Sequence, residues 1–491
     1  MSARPLAAPA SGRPPNADTS RVTPTVGGMG MSPWLYVVLV VVLCAGGLFG
    51  YDQGVISGAL AGIKSTFSLS VLLVQVVTSW VTLGALMGSL AGGELADRFG
   101  RKRTLLIAGF LFTLGALVQA FASGTVILVT GRLIVGLGVG VAAVAAPLYA
   151  AELAPARLRG RFISSYQLAI TIGIFLAYLV DGAFANKDSW RWMLGLSAVP
   201  GVLLLIMALM TRQSPRWLMM KERRDEASAE FLKINPGADA PAALDAVAVA
   251  LKQEGKAASW GDVFNRQWRR PLMIGIGLAV FQQITGINAI IYYADQIFAS
   301  VGFTTQASQT MVTTWAIGGV NVLSTFIAIA FIDKIGRRLL LLVGLIGMGA
   351  SLAVVGAAFH YIQAVAPAVA GAAASTAGPT VAGIVTMVGL VCFIISFAFS
   401  MGPVVWTVIN EIFPAKIRGR AVALATAVNW AAAFLVSEFF LSLIDAIGNS
   451  MTFWMFAFFC GVSWVWVYFR VPETKGQSLE QIQALWTSAK P

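Results

Sequence analysis

Only 11% of the 491 residues are charged, one is a histidine and three are cysteines. So little charge, beside 57% hydrophobic residues, excludes an ordinary soluble domain, in which about a quarter of residues carry charge. Cys44, Cys392 and Cys460 are scattered through apolar runs, which excludes a disulfide framework or a zinc centre. The one histidine, His360, ends an apolar run, and neither a Walker A loop nor a Ser-His-Asp grouping accompanies it, so an enzyme is not expected. No cofactor and no metal are expected either.

What the chain has in abundance is long apolar runs. Twelve can be delimited, near 34–60, 74–96, 104–122, 126–149, 160–184, 191–211, 271–299, 308–332, 339–360, 380–410, 419–444 and 452–471. About 20 apolar residues cross a bilayer, so the sequence predicts an all-α membrane protein with twelve transmembrane helices. The run from Trp34 is too long for the apolar region of a signal peptide and lacks a small-residue cleavage site, and is therefore span one. The net charge of +12 follows topology, since 30 of the 34 Lys and Arg fall in the two tails and the even-numbered loops. The positive-inside rule then places both termini in the cytoplasm, as expected for a bacterial inner membrane, and nucleic acid is not an expected partner.

The charged loops repeat. Asp97-Arg98-Phe99-Gly100-Arg101, between spans two and three, is echoed by Asp333-Lys334-Ile335-Gly336-Arg337 between eight and nine; Glu152 through Arg161 is echoed by Glu411 through Arg420. The offsets are 236 and 259 residues, and their 23-residue difference matches an Ala/Gly-rich insertion around 361–379. Two six-span halves follow. The sequence thus divides into a disordered tail 1–32, a six-helix bundle 33–211, a polar helical linker domain 212–270, a second bundle 271–471 and a cytoplasmic tail 472–491. Asp97, Arg101, Glu152 and Arg159 of one half and Asp333, Arg337, Glu411 and Arg418 of the other are expected to meet at the cytoplasmic face. A network buried in one state and hydrated in another would bias the two, although setting topology is the plainer role of any single arginine.

Polar residues inside the spans concentrate in one stretch, Gln282 through Tyr293, which holds Gln282, Gln283, Asn288, Tyr292 and Tyr293. Amides donate and accept, as sugar hydroxyls do, and tyrosine rings offer flat faces to a C–H surface. Interhelical glue is the alternative, worth about 0.6 to 2 kcal/mol per group, but five such residues in one run favour a polyhydroxylated ligand. At 100° per residue Gln283 falls at the edge of the arc holding the others, so a regular helix does not aim all five at one point. Gly286 is where the helix can break. Elsewhere, Gln167, Ile170 and Ile174 share one face of span five, Asn321 lies in span eight, and Asn429-Trp430 in span eleven. Gly402-Pro403 interrupts span ten ahead of Trp406, as a gate or a simple kink.

Span one carries an acid, Asp52, and span four a base, Arg132. An intramembrane carboxylate is a functional candidate, and the two lie roughly 12 Å and 9 Å from the outer ends of their spans, so their depths match.

Gly50-Tyr51-Asp52, Asp97 through Arg101, Gly131-Arg132, Glu152 through Arg161, Ser214-Pro215-Arg216, Gln282 through Tyr293, Asp333 through Arg338, Gly402-Pro403 with Trp406 and Pro472-Glu473-Thr474-Lys475-Gly476 together resemble the sugar porter family of the major facilitator superfamily. The resemblance implies two six-helix bundles with a cytoplasmic helical domain between them and alternating access around a midplane sugar site; a monomer in the lipid bilayer is expected. It implies Gln167, Gln282, Gln283, Asn288, Asn321, Trp406 and Asn429 as sugar ligands, with Phe49, Ile170, Ile174, Phe397, Gly402 and Trp430 completing the pocket. Tyr292, Tyr293 and Pro403 are implied in gating. Ile174 stands where some pentose-using relatives carry a second glutamine, which favours a hexose such as glucose or galactose over xylose. Proton-coupled members are similar in having Asp and Arg at the positions of Asp52 and Arg132, so proton symport of a monosaccharide is expected. A passive uniporter is the alternative, and a non-transporting sugar sensor a more remote one. Asp295 departs from the family pattern and receives no role.

Overall fold

The computed structural model describes residues 33–154, 158–185, 189–254, 259–369, 380–475 and 486. The expected tail 1–32, part of the 361–379 insertion and most of the C-terminal tail lie outside these. Helix is the only regular structure among the described residues. The first half comprises α1 (Pro33–Phe67), α2 (Val71–Phe99), α3 (Arg101–Ala120), α4 (Thr125–Leu153), α5 (Arg159–Phe184), and α6 (Trp190–Leu196) with α7 (Ala198–Met210), which form one crossing. Short helices α8 (Pro215–Met220), α9 (Arg224–Ile234), α10 (Ala240–Glu254) and α11 (Trp260–Val263) lead to the second half.

There, α12 (Arg269–Ile284), α13 (Ile287–Tyr292) and α14 (Ala294–Ser300) make a broken seventh span. The eighth runs through α15 (Gln306–Val312), a π-helical segment Thr313–Gly319 and α16 (Val320–Ile335). The others are α17 (Arg337–Val369), α18 (Val381–Phe399) with α19 (Met401–Ile412), and α20 (Ala415–Arg470). Among the described residues eleven stretches are long and apolar enough to cross a bilayer; the last, Ile417–Arg470, is 54 residues long, more than twice what one crossing needs. It turns at Gly448, whose φ of 80° is open to glycine, so the eleven stretches make twelve crossings.

Stripes of small residues hold the first half together. Gly46, Gly50, Gly54 and Gly58 recur every four residues along α1, and a Cβ at any of them would collide with α5, within 1.9 Å of the Ile170 carbonyl oxygen at Gly50. Gly84 and Gly88 of α2 meet Gly136 and Gly140 of α4 in the same way. With no hydrophobic drive between helices in lipid, such close backbone approach supplies the packing.

The duplication persists in atomic detail where the even-numbered spans end. Ahead of α8, Gln213 accepts from the Lys102 N–H at the start of α3 (3.1 Å), while Glu473 accepts from the Arg337 and Arg338 N–H groups at the start of α17 (3.0 and 3.1 Å). Each side chain caps free donors at a helix N-terminus. Gly100 and Gly336, with φ of 89° and 106°, make room for them.

Candidate substrate and proton site

Around Gly286 (φ 92°) the chain leaves α12 and restarts as α13. The turn redirects the second part of the amide stretch, so that Gln282, Gln283 and Asn288, all buried, converge. Asn288 Nδ2 donates to Gln283 Oε1 (2.8 Å), and Gln283 Nε2 donates to Asn429 Oδ1 (3.2 Å). Asn429 Nδ2 donates to Gln282 Oε1 (2.8 Å), whose own Nε2 reaches the Met401 carbonyl (2.7 Å). That carbonyl is presented by a break between α18 and α19. Pro403 would clash with the carbonyl four residues back, at Phe399, and the chain leaves helical geometry at Ser400 (φ −122°, ψ −91°), three residues ahead of the proline.

The chain of amides continues into the other half through Gln53. Its Nε2 lies 3.1 Å from Asn288 Oδ1 and 3.5 Å from the Tyr292 hydroxyl. Aromatic and aliphatic side chains flank this line: Phe49 meets Trp430 edge-on at 5.1 Å, and Ile170 and Ile174 pack on Gly50 and Gly54. A Cβ at Gly402 would touch the Phe397 ring at 3.4 Å. Asn321 is buried on α16, and Gln167 and Trp406 are half-buried on α5 and α19; none of the three bonds to the amide chain among the described residues. Tyr292 and Tyr293 part company, since Tyr293 donates to the Ser437 carbonyl of α20 (3.1 Å) and stacks on Phe440.

Gln53 is the residue that the sequence reading passed over, although it directly follows Asp52 and is itself an amide inside a span. Asp52 Oδ1 is 2.8 Å from the Arg132 guanidinium, and both are buried. Arg132 also donates to the buried carbonyls of Val77 (3.0 Å) and Thr78 (3.2 Å), where α2 passes α4. A buried charge pair offsets its desolvation only when its remaining donors are met, as they are here.

On the face where the even-numbered spans end, the following ion pairs among the described residues lie within the halves. Arg101 bonds Glu152 (2.7 Å) and Asp97 (3.3 Å), both of its own half; Arg337 bonds Glu411 (3.1 Å), which also accepts from Thr474 (2.6 Å). Two parallel pairs result, one in each half, because the start of α3 packs beside the end of α4, as α17 does beside α19; the expected meeting of copies from the two halves belongs to the conformation closed on this face. Arg418 donates to the Phe413 carbonyl (3.1 Å); the side chains of Arg159 and Asp333 lie outside the described residues.

Hydrogen bonds between the halves, by contrast, fall beside the amide chain or outward of it. Tyr178 donates to the Ile291 carbonyl (3.0 Å), Thr314 to the Tyr178 carbonyl (3.0 Å), the Asp295 N–H to Ser57 (3.1 Å) and Gln75 to Ser442 (2.9 Å), while Ser79 bonds Glu438. The outer side is sealed in this conformation.

Two paired six-helix halves around a buried line of amides define a solute transporter. The chain matches the sugar (and other) transporter family over residues 37–486, and it belongs to that family, a group of the major facilitator superfamily. It is 39% identical over 451 residues to the galactose-proton symporter of Escherichia coli (strain K12), covering 91% of this chain and 93% of that protein. It is 38% identical to the glucose transporter GlcP of Staphylococcus epidermidis, covering 91% and 96%. Among solved structures it resembles the proton:xylose symporter XylE bound to 6-bromo-6-deoxy-D-glucose, with a TM-score of 0.76, 31% identity and coverage of 93% and 100%. A partially occluded inward open conformation of the xylose transporter XylE from E. coli gives 0.77 at 29% identity, covering 91% and 100%.

Proposed function

We propose that the chain imports a monosaccharide together with a proton, by alternating access of the bundles 33–211 and 271–471 around the amide line, with 212–270 as a cytoplasmic helical domain. The carrying observation is that Asp52 and Gln53 are neighbours on α1: one is paired with Arg132, the other bonds Asn288 and Tyr292. A change in the charge of Asp52 or the place of Arg132 therefore acts one residue away from the sugar ligands. Gln167, Gln282, Gln283, Asn288, Asn321, Trp406 and Asn429 contact the sugar, inside a wall of Phe49, Ile170, Ile174, Phe397, Gly402 and Trp430, and Gln53 joins them from the opposite half. Tyr292 and Tyr293 close it from outside. Proton symport is supported by the named activity of the E. coli relative, and a hexose by Ile174, whose aliphatic side chain adds no hydrogen-bonding group on that face.

The site faces the cytoplasm in the conformation described, since the bonds that join the halves seal its outer side. The protein works as a monomer in a bacterial inner membrane with both termini inside. Proteoliposomes containing only this protein test the proposal: glucose or galactose added outside should draw protons inward with the sugar. Sugar uptake with no accompanying proton movement would make it a uniporter; sugar binding without uptake would make it a sensor.

A further inference from the structure

Two carboxylates outside the pair at Asp52 are buried in the sealed outer seam. Asp181 of α5 is 0% exposed and Asp295 of α14 is 3% exposed. They belong to different halves, and adjacent residues of α1 hold both: the Gly58 N–H donates to Asp181 Oδ2 (3.2 Å), and the Ser57 hydroxyl accepts from the Asp295 N–H (3.1 Å). Asp295 accepts from the hydroxyls of Thr313 (2.5 Å) and Thr310 (2.9 Å) and from Gln306 Nε2 (3.3 Å). Thr310 in turn stands 3.9 Å from the position of a Cβ on Gly182, next to Asp181.

The two carboxylates are within electrostatic reach of each other. The other titratable groups around them are the phenols of Tyr51 on α1 and Tyr178 on α5, with Tyr292 of α13 beyond Tyr178. Among the described residues no Lys, Arg or His is paired with either acid. Among the described residues Asp295 has three donors; Asp181 has one, and its Oδ1 is buried with no protein hydrogen-bond partner. Burying an ionised carboxylate oxygen without a protein donor, near a second acid, is costly, and a proton on the pair removes that cost. Opening the seam would admit water to both and remove it as well.

We propose that Asp181 and Asp295 form a second proton-binding site, in the outer gate, which holds at least one proton while the gate is shut and gives it to outer-side water as the gate opens. Acid on the outer side then favours the closed gate, and alkali the open one. This control is separate from Asp52 and needs neither sugar nor a gradient.

Spin labels at Ser65→Cys and Thr304→Cys, on exposed outer positions of the two halves, read the gate directly. They are placed in the full chain carrying Cys392→Ser, with the buried Cys44 and Cys460 retained. Distance distributions in lipid, taken from about pH 5 to about pH 9, should shift towards longer separation as pH rises. Asp181→Asn should abolish the shift and keep the short distance, and Asp52→Asn should retain it. Thr313→Val, a milder variant, removes a donor to the charged form of Asp295 and should move the midpoint to higher pH. A pH-independent distance, a shift unaltered by Asp181→Asn and Thr313→Val alike, or a shift produced by sodium at constant pH would overturn the proposal.

Discussion

Gln53 of α1 donates to Asn288 of α13 across 3.1 Å, and this amide-to-amide contact joins the half that carries Asp52 to the half that carries Gln282, Gln283 and Asn429. One end of it moves with the first bundle, the other with the second. Gln53→Ala should weaken sugar binding by roughly 3- to 10-fold, the worth of about 0.5 to 1.5 kcal/mol for a neutral hydrogen bond. Calorimetric titration of the purified protein measures it; wild-type affinity would remove Gln53 from the site.

Interior members of the amide line should cost more. Asn288→Ala takes the donor from Gln283 Oε1 and leaves Gln53 Nε2 with only the longer contact to Tyr292, and Gln283→Ala strands Asn288 Nδ2 and Asn429 Oδ1. Each stranded buried group costs about 1 to 3 kcal/mol, and losses of roughly 10-fold or more in sugar affinity are expected, with thermal stability lowered. Trp406→Ala should lower affinity with little change in stability, since its ring is half-buried. Binding isotherms at wild-type strength for all three would overturn the site.

Gly286→Ala tests the break in span seven. Alanine at φ 92° is strained by about 1 to 2 kcal/mol, and its Cβ would lie 2.7 Å from the Phe456 ring. The variant should unfold at lower temperature and bind sugar less tightly, whereas Gly461→Ala, with nothing within 4 Å of its Cβ, should do neither. Equal behaviour of the two would show that the turn has no bearing on the pocket.

Glu473 gives a pH test at the cytoplasmic end. Partial burial pushes its carboxyl up, but the backbone N–H groups of Lys475, Arg337, Arg338 and Thr474 together hold it below the ordinary glutamate range. A carboxyl lowered on folding adds stability above its unfolded value of about 4.3, and that contribution is lost as pH falls through the native value. Glu473→Gln should therefore melt below wild type at neutral pH, and the gap should narrow in acid. A gap that is constant with pH would contradict this.

The sequence exposed the parts whose signals are local and hid those made by two distant segments. Matching depth was enough to pair Asp52 with Arg132, because both spans run straight from the outer face. Gln283 at the edge of its arc called for a break, and Gly286 provides it. The order of the amide line was not legible, since Asn429 enters between Gln282 and Gln283 from 146 residues away. Nor was Asp181, an acid near a span's outer end whose setting is created by α1 and by the other half. The pairs inside each half, Arg101 with Glu152 and Arg337 with Glu411, were not legible either, because repeat copies look interchangeable and only the packing of helix ends brings particular ones together.

Coupling between the two neighbours on α1 is the central claim, and accumulation of sugar in proteoliposomes under an imposed proton gradient tests it most directly. One proton moving through 100 mV supplies about 2.3 kcal/mol, enough for roughly fifty-fold accumulation. Wild-type vesicles should concentrate labelled glucose or galactose towards that limit. Asp52→Asn, fixed in the neutral form, should bind sugar and exchange it by counterflow but stop at equal concentrations. An Asp52→Asn protein that still concentrates sugar, or a wild type that never does, would contradict the account.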